Sequence, residues 1–135
     1  MNLNPFSLVK KAINFIKDDI EQSRINAERE AIATRQNLEL ELKNNMRSLI
    51  NAESISCRCK GVAIPVFDSN NKYTCLKCGN KFANSHHKLK ARVAYDLSRL
   101  RPSYKSGQYE KYDDSYDRQL AKNAYNEITR ELKNI

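Results

Sequence analysis

The chain has 135 residues, of which 30% are charged and 8% are aromatic, and it contains no tryptophan. A chain this short and polar predicts one small domain with helical extensions and excludes a thick globular core. No run of about 18 apolar residues is present, so we predict no membrane-spanning helix. Charged residues such as Lys10 and Asp18 interrupt the N-terminal apolar residues, which argues against a secretory signal. We therefore expect a cytoplasmic protein with reduced cysteines.

The net charge of +8 is concentrated in the middle of the chain. Residues 1–56 carry eight basic and eight acidic side chains, and residues 113–135 carry four basic and five acidic ones. Residues 57–112 carry twelve basic and only three acidic side chains. An excess of this size attracts anions, and it indicates nucleic acid or an acidic protein surface as a partner.

The first segment, residues 1–55, predicts one long helix. It has no Gly or Pro after Leu8, and Asn4-Pro5 supplies an N-cap followed by proline at the first helical position. A helix of residues 5–53 must bury its apolar stripe on a partner, so we predict a coiled coil of identical chains or docking on another helix. The stripe recurs in steps of three and four at Val9, Ile13, Ile16, Ile20, Ser23, Ala27, Ala31, Thr34, Leu38, Leu42, Met46 and Leu49.

The middle of this stripe is weak, because Ala27, Ala31 and Thr34 are small. The alternative to one continuous helix is therefore a bend or break within residues 24–37. Positive and negative side chains cancel along the segment, which argues against an amphipathic helix bound to a membrane.

The second segment contains all four cysteines of the chain. In Cys75-Leu76-Lys77-Cys78-Gly79, two intervening residues allow both thiolates to reach one ion, and the glycine permits the backbone conformation of a metal-binding knuckle. Fifteen residues separate this pair from Cys57-Arg58-Cys59. Between the pairs, Asp68-Ser69-Asn70-Asn71 is a turn-forming tetrad between two β-favouring runs, which predicts a hairpin.

These residues resemble a zinc ribbon, a small β-hairpin module found in transcription factors, ribosomal proteins and nucleic-acid enzymes. The resemblance covers residues 56–85 and implies one structural Zn²⁺. We predict as its ligands Cys57, Cys59, Cys75 and Cys78. The first pair departs from the family, because it has one intervening residue where the family usually has two. Both of its thiolates can bind only from a tight turn, which Lys60-Gly61 favours. The open alternatives are a site of Cys59, Cys75 and Cys78 with His86 or His87, and a chain without metal.

A zinc ion held by four protein ligands has no position for water, so we predict that the protein is not an enzyme. A histidine pair close to a CxxC motif also occurs in nucleases of the HNH type. The chain has only two histidines, however, and Asp68 is the only carboxylate between the cysteine pairs. Phosphate-binding glycine loops and nucleophile motifs are also absent from the sequence.

The third segment, residues 86–135, predicts two helices joined by a tyrosine-rich loop of residues 102–115. Asn84 or Ser85 is the expected cap of the first helix, which should end near Arg101 because Pro102 disfavours helical geometry before it. Asp113, Asp114 or Ser115 is the expected cap of the last helix. The last helix should pack on the N-terminal helix through Ala121, Tyr125, Ile128, Leu132 and Ile135. We expect the helices to keep an apolar core separate from the zinc ribbon.

One face of the first of these helices is basic. Lys88, Arg92, Tyr95 and Arg99 recur by four, three and four residues and form one stripe. Cations matched to phosphates, with aromatic rings that stack on bases, are typical of nucleic-acid-binding surfaces. The candidate nucleic-acid-binding residues are Lys88, Lys90, Arg92, Tyr95, Arg99, Arg101 and Lys105.

The sequence thus predicts a mainly α fold with a long N-terminal helix, a small β-hairpin zinc ribbon and two C-terminal helices. We expect a non-enzymatic binding protein that contacts nucleic acid, or a nucleic-acid machine, through its basic helix. The alternative is a helical structural or assembly protein, for instance a component of a phage particle, in which zinc only stabilises the fold. The Asn- and Lys-rich, Gly-poor composition suggests a small phage or bacterial protein. A phage-encoded protein would be located in the host cytoplasm or the virion.

Overall fold

The computed structural model describes residues 5–105 and 112–134, and the side chains of residues 11–104 and 112–134. Its elements confirm the mainly α fold with a small antiparallel sheet between the first and second helices. They are the helix α1 (Pro5–Glu53), the strands β1 (Ile55–Ser56), β2 (Val62–Pro65), β3 (Lys72–Cys75) and β4 (Lys81–Ala83), the helix α2 (Leu89–Leu100), a 3₁₀ helix (Arg101–Lys105) and the helix α3 (Asp114–Lys133). The chain forms two compact units, residues 1–36 and residues 37–135.

Helix α1 is continuous through residues 24–37, so the alternative of a break in this region is wrong. The small residues that weaken the apolar stripe there are mostly alanines, and alanine has the highest intrinsic helix propensity. The expected N-cap, Asn4, lies outside the described residues. None of the described helices combines the length and apolar composition that crossing a membrane requires.

The sheet is an antiparallel meander in the order β1-β2-β3-β4. Its central pair, β2 and β3, is the predicted hairpin, and the register pairs Ala63 with Cys75 and Pro65 with Tyr73. The hydroxyl oxygen of Ser69 accepts hydrogen bonds from the backbone N–H groups of residues 71 and 72 at 3.3 and 3.0 Å, which closes the predicted turn. Strands β1 and β4 were not predicted, because two and three residues are too few for an alternation of apolar and polar side chains to be recognised.

One hydrophobic core in residues 37–135 joins all three helices to the sheet. Ion pairs of 2.8 Å between Lys43 and Glu127 and of 3.0 Å between Arg47 and Glu131 hold α3 against α1, as predicted. The predicted α3 stripe packs in this core as far as Leu132, and Ile135 lies outside the described residues. The buried members of the core are Leu42, Met46, Ile50, Ile64, Leu89, Val93, Leu100, Ala121, Ala124 and Ile128.

The expectation of a helical core separate from the ribbon is wrong. Ile64 of β2 is 2% exposed and belongs to the core of the helices. The Tyr125 hydroxyl of α3 donates a hydrogen bond to the carbonyl of Pro65 at 2.6 Å, and its ring lies 5.5 Å from the ring of Phe67. Because α3 packs directly on β2 and the residues after it, the sheet and the helices form one packing unit.

Helix α2 begins at Leu89, so the prediction that Asn84 or Ser85 caps it is wrong. The Ser85 carbonyl accepts a hydrogen bond from the Tyr73 hydroxyl at 2.8 Å, and the His87 N–H donates to the Asn70 carbonyl at 2.7 Å. These bonds attach residues 84–87 to the sheet. The exposed backbone N–H of Lys88 instead donates to the Glu53 carboxylate at 2.8 Å, which gives the helix start an acceptor from the end of α1.

Helix α2 ends at Leu100, close to the predicted end, and continues as the 3₁₀ helix. The prediction of a loop is therefore wrong for residues 102–105, and residues 106–111 lie outside the described part of the chain. Asp113 caps α3 as predicted, because its side chain accepts a hydrogen bond from the Tyr116 N–H at 2.7 Å. The Tyr104 hydroxyl bonds to the buried carboxylate of Asp117, which ties the 3₁₀ helix to α3.

Candidate metal centre

Two hairpin loops bring four thiols together. Cys57 and Cys59 lie between β1 and β2, whereas Cys75 ends β3 and Cys78 lies between β3 and β4. All four Sγ atoms lie within 4.8 Å of one another. The Sγ atoms of Cys59 and Cys75 are 3.4 Å apart, and those of Cys57 and Cys78 are 3.7 Å apart. All four cysteines are free thiols, so the cluster has the composition of a metal site.

The first loop is the tight turn that its short cysteine spacing requires. The Cys57 carbonyl accepts from the Lys60 N–H at 2.9 Å, and the Cys57 N–H donates to the Gly61 carbonyl at 2.9 Å. Lys60 adopts the left-handed conformation, with φ of 70°, which is typical of three-residue hairpin loops. In an extended strand, the side chains of residues 57 and 59 would lie on the same face. The length of the strand between them would nevertheless keep the two sulfurs well apart. The turn folds the chain back on itself, so both sulfurs reach the same point.

Gly61 allows the two loops to approach each other. A Cβ atom at this position would lie 2.6 Å from the Lys77 Cβ and 2.9 Å from the Cys75 Sγ, and both distances are shorter than real carbon contacts. The left-handed conformation falls on Lys60, so Gly61 is required for space and not for its backbone freedom. Any side chain at Gly61 would push the two cysteine loops apart.

The second loop has the geometry of a metal-binding knuckle. Gly79 has a positive φ of 74°, and its N–H donates to the Cys75 carbonyl at 3.0 Å. The backbone N–H groups of Lys77 and Cys78 point at the Cys75 Sγ, at 3.3 and 3.4 Å. The hydrogen bond from the Cys78 N–H has the largest effect on the pKa of Cys75. This pKa falls to about 6, although burial acts in the opposite direction. These hydrogen bonds favour the thiolate of Cys75, which is the form that binds metal.

The spacing of the four sulfurs fits a tetrahedral metal ion. Zinc–sulfur bonds of about 2.3 Å in a tetrahedron place the sulfurs about 3.8 Å apart. The separations of 3.4 and 3.7 Å and the upper limit of 4.8 Å bracket this value. Four thiolates are soft ligands, which suit zinc, iron–sulfur clusters and copper(I) better than magnesium or calcium. The cluster can thus hold one metal ion.

The two histidines do not belong to the thiol cluster, which contains cysteines alone. His87 is 4% exposed, and its Nε2 lies 2.9 Å from the Lys72 carbonyl oxygen. Its ring meets the Tyr73 ring edge-on, with 5.1 Å between the centroids. His86 is exposed. His87 therefore packs the segment before α2 against strand β3.

An apolar layer lies against the thiols. Tyr73 is buried beside Cys57 and Cys75, and Phe82 of β4 packs against the same cluster. The rings of Tyr73 and Phe82 stack with 6.1 Å between their centroids. Because attraction between charges is stronger at low dielectric, this layer would strengthen the binding of a cation by thiolates.

The predicted basic stripe of α2 is accessible, but its arginines contact carboxylates. Lys88, Tyr95 and Arg99 are exposed, whereas Arg92 is half-buried. Arg92 lies 3.3 Å from the buried carboxylate of Asp96, and its guanidinium lies 5.3 Å from the centre of the Tyr95 ring. Arg99 forms an ion pair of 2.8 Å with Glu41 of α1. The stripe therefore carries less free positive charge than its sequence indicates.

The other three predicted nucleic-acid-binding residues around α2 differ in their contacts. Lys90 is exposed, and Arg101 is exposed and lies 3.7 Å from Asp114. The side chain of Lys105 lies outside the described residues. The assignment of nucleic-acid contacts to this helix stays a prediction.

Five cations on the cysteine segment were missed by the sequence reasoning, which named only Lys88 and Lys90 just beyond it. Residues 57–90 contain seven basic side chains and one acidic side chain, Asp68. All seven are exposed, and within the described part of the chain no ion pair involves any of them. A charge count over this shorter window would have found them. The five that were missed are Arg58, Lys60, Lys72, Lys77 and Lys81, and the other two are Lys88 and Lys90.

Comparisons of the chain with models of protein families, with curated proteins and with solved structures find no match. The zinc-ribbon resemblance thus depends on the four-cysteine cluster and the antiparallel sheet around it.

Proposed function

We propose that the cysteine segment is a zinc-binding module that contacts nucleic acid. One Zn²⁺ bound by Cys57, Cys59, Cys75 and Cys78 would cross-link the two hairpin loops. The observation that carries this proposal is the convergence of four Sγ atoms within 4.8 Å in two hydrogen-bonded loops. Because four protein ligands complete a tetrahedral site, no coordination position remains for water or substrate. The proposed role is therefore binding and not catalysis.

The proposed zinc ion has a structural task that the polypeptide performs poorly alone. Strands β1 and β4 have two and three residues, so few backbone hydrogen bonds hold them to the sheet. Structural zinc contributes on the order of 10–16 kcal/mol in small zinc-finger peptides, far more than strands of this length gain by pairing. The ion would thus fix the loops and the side chains that they present.

The cations of the same module provide the proposed contact with phosphates. Arg58 and Lys60 lie in the first cysteine loop, Lys77 lies in the second, and Lys81 begins β4. A cation without a carboxylate partner can bind a phosphate without first breaking an ion pair. The five exposed cations of residues 56–85 outnumber Asp68 by four, and four thiolates on a divalent ion remove about two of these charges. The module keeps a positive field that attracts polyanions.

The ligand set is tested by the metal content of purified full-length protein. We expect one zinc per chain, near-complete loss in Cys75→Ser, and full retention in His87→Ala, whose ring contacts the Lys72 carbonyl. If Cys57→Ser keeps its zinc while His86→Ala loses it, the ligand set of four cysteines is wrong and the set of three cysteines with a histidine is right.

The nucleic-acid contact is tested by salt-dependent binding of two matched triple variants. Arg58, Lys77 and Lys81 are changed to Gln in the first variant, and the carboxylate-paired Arg92, Arg99 and Arg101 in the second. In the first variant the slope of log affinity against log salt should decrease by about 0.9 for each duplex phosphate that the protein no longer neutralises. The second variant should change the slope less, and both should keep their zinc. Absence of wild-type binding at low salt would contradict the proposal.

A structural role without nucleic acid is the second candidate, and the packing of the module favours it. Ile64 of the sheet lies in the core of the helices, and α2 directs Arg99 to Glu41 of the same chain. A helical assembly protein stabilised by zinc would show these features. It predicts a zinc-loaded protein without affinity for nucleic acid at low salt, so the same titration separates the two candidates.

A further inference from the structure

The part of helix α1 in the first compact unit has an apolar stripe that this unit leaves exposed. Ile13, Ile16 and Ile20 follow one another by three and four residues and are 47%, 56% and 64% exposed. Leu42 and Ile50, further along the same helix, are no more than 1% exposed. A run of exposed isoleucines on one helical face is unusual for a chain that acts as a monomer.

We propose that residues 13–27 form a parallel coiled coil with a second copy of this chain. Coiled coils need core residues spaced alternately by three and four, at the positions termed a and d of a seven-residue repeat. Ile13, Ile16 and Ile20 fit positions a, d and a, and Ser23 and Ala27 continue the pattern at d and a. The next small apolar residue, Ala31, follows after four residues and breaks the repeat, so the proposed contact ends near Ala27.

The charges beside this core select a second copy and its direction. Positions e and g flank the core and set partner choice and orientation. Position e carries Lys17 and Arg24, and position g carries Asp19. In a parallel pair, g of one helix faces e of the next repeat in the other, so Asp19 meets the partner's Arg24. In an antiparallel pair, e faces e, which places cations against cations.

The exposure of these residues agrees with that arrangement. Lys17, Asp19 and Arg24 are all exposed. Arg24 already pairs with Glu21 and Glu28 of its own helix at 2.5 and 2.7 Å, yet its side chain remains 55% exposed. A guanidinium group has five N–H donors, so it can add a partner's carboxylate without losing these bonds. Residues 1–56 carry equal numbers of acidic and basic side chains, so two copies of this segment do not repel each other.

The molecular mass of the nuclease-treated, zinc-loaded full chain, measured across a concentration series, tests the association. We expect a concentration-dependent dimer for the wild type. In Ile16→Glu/Ile20→Glu the association should weaken by at least about 100-fold, because buried charges replace core residues in every copy. The matched control is Phe15→Glu, because Phe15 is 75% exposed and lies on the opposite face. A wild type that stays monomeric, or an equal weakening in the control, would overturn the proposal.

Cross-linking tests the direction of the pair. Ile20→Cys should form a disulfide-linked dimer under mild oxidation, since a parallel coil places both residues 20 side by side. Phe15→Cys, on the outer face, should not. A multimer in which Ile20→Cys fails to cross-link would refute the parallel arrangement. Zinc content measured in both variants shows that the four native cysteines remain protected.

Discussion

The first half of helix α1, residues 5–36, and its second half, residues 37–53, have similar side chains but different surroundings. Isoleucines at positions 13, 16 and 20 are about half exposed, whereas Ile50 is completely buried among residues of α2, α3 and the sheet. Both halves are nevertheless one uninterrupted helix. Local backbone preference therefore accounts for the helix, and long-range packing accounts for which part of its stripe is covered.

Ion pairs show the same difference between the halves. Arg24 pairs with Glu21 and Glu28, three and four residues away in its own helix. In the second half, Glu41, Lys43 and Arg47 pair with residues of α2 and α3 that are 58 to 84 positions away. Pairs of the first kind stabilise a helix only, whereas pairs of the second kind also fix its neighbours.

Removal of the metal should give the largest difference in hydrogen exchange between the two halves of α1. Loss of a structural zinc removes on the order of 10–16 kcal/mol of binding free energy and should unfold the cysteine loops. Because Ile64 of β2 shares a core with Ile50, chelation should increase hydrogen exchange in residues 42–50. Exchange in residues 13–27 should not change, since these residues belong to the other compact unit. Unchanged protection of residues 42–50 would show that the helical core stands without the sheet.

A pair of identical substitutions should give the next largest difference. Ile50→Ala leaves a cavity in the core and should lower the free energy of unfolding by about 2–5 kcal/mol. Ile20→Ala removes an exposed side chain and should lower it by less than about 1 kcal/mol. Denaturant unfolding of the zinc-loaded protein, at a concentration too low for self-association, measures both values. Equal decreases in the free energy of unfolding would mean that Ile20, like Ile50, is packed against other residues of the same chain.

The smallest expected effect is the pH dependence of one inter-helical ion pair. The hydrogen bond and positive charge of Lys43 hold the pKa of Glu127 below its ordinary value. A carboxylate with a lowered folded-state pKa stabilises the fold above the ordinary glutamate value, about 4.3, and loses this effect as the pH falls through the folded-state pKa. Lys43→Gln should therefore be less stable than the wild type at neutral pH, and the difference should vanish in acid.

The control for this effect is a set of ion pairs within a single helix. At a concentration too low for self-association, Arg24→Gln removes only pairs within a single helix, so it should change helicity locally and leave the unfolding of residues 37–135 unaltered. Each variant is compared with the wild type at the same pH. Any stability that the metal site loses in acid is therefore lost by both proteins and cancels in the difference. A pH-independent difference for Lys43→Gln would exclude the ion pair as its cause.

Much of the candidate metal site could be predicted from local spacing. The knuckle of Cys75 and Cys78 and the tight turn of Cys57 and Cys59 depend on residues within five positions of each other, where turn chemistry operates. The role of Gly61 could not be predicted, because the atoms that exclude a side chain there belong to Cys75 and Lys77 in the other loop.

The sequence by itself determined the helices, the central hairpin and the cysteine pairs. Each of these follows from periodicity, capping or turn residues that act over a few positions, and the alanines between residues 27 and 33 keep α1 helical where its stripe is weak. Short-range backbone preferences are the same whatever the rest of the chain does, and for this reason they can be read along the sequence.

Only the tertiary structure decided which charges and apolar surfaces remain available for contact with another molecule. Arg99 counts as a free cation until Glu41, 58 residues away, is placed beside it. The late start of α2 depends on hydrogen bonds that Asn70 and Tyr73 of the sheet region form with residues 87 and 85. These contacts join distant parts of the chain, and their free energy exceeds local preference only once the common core has brought those parts together.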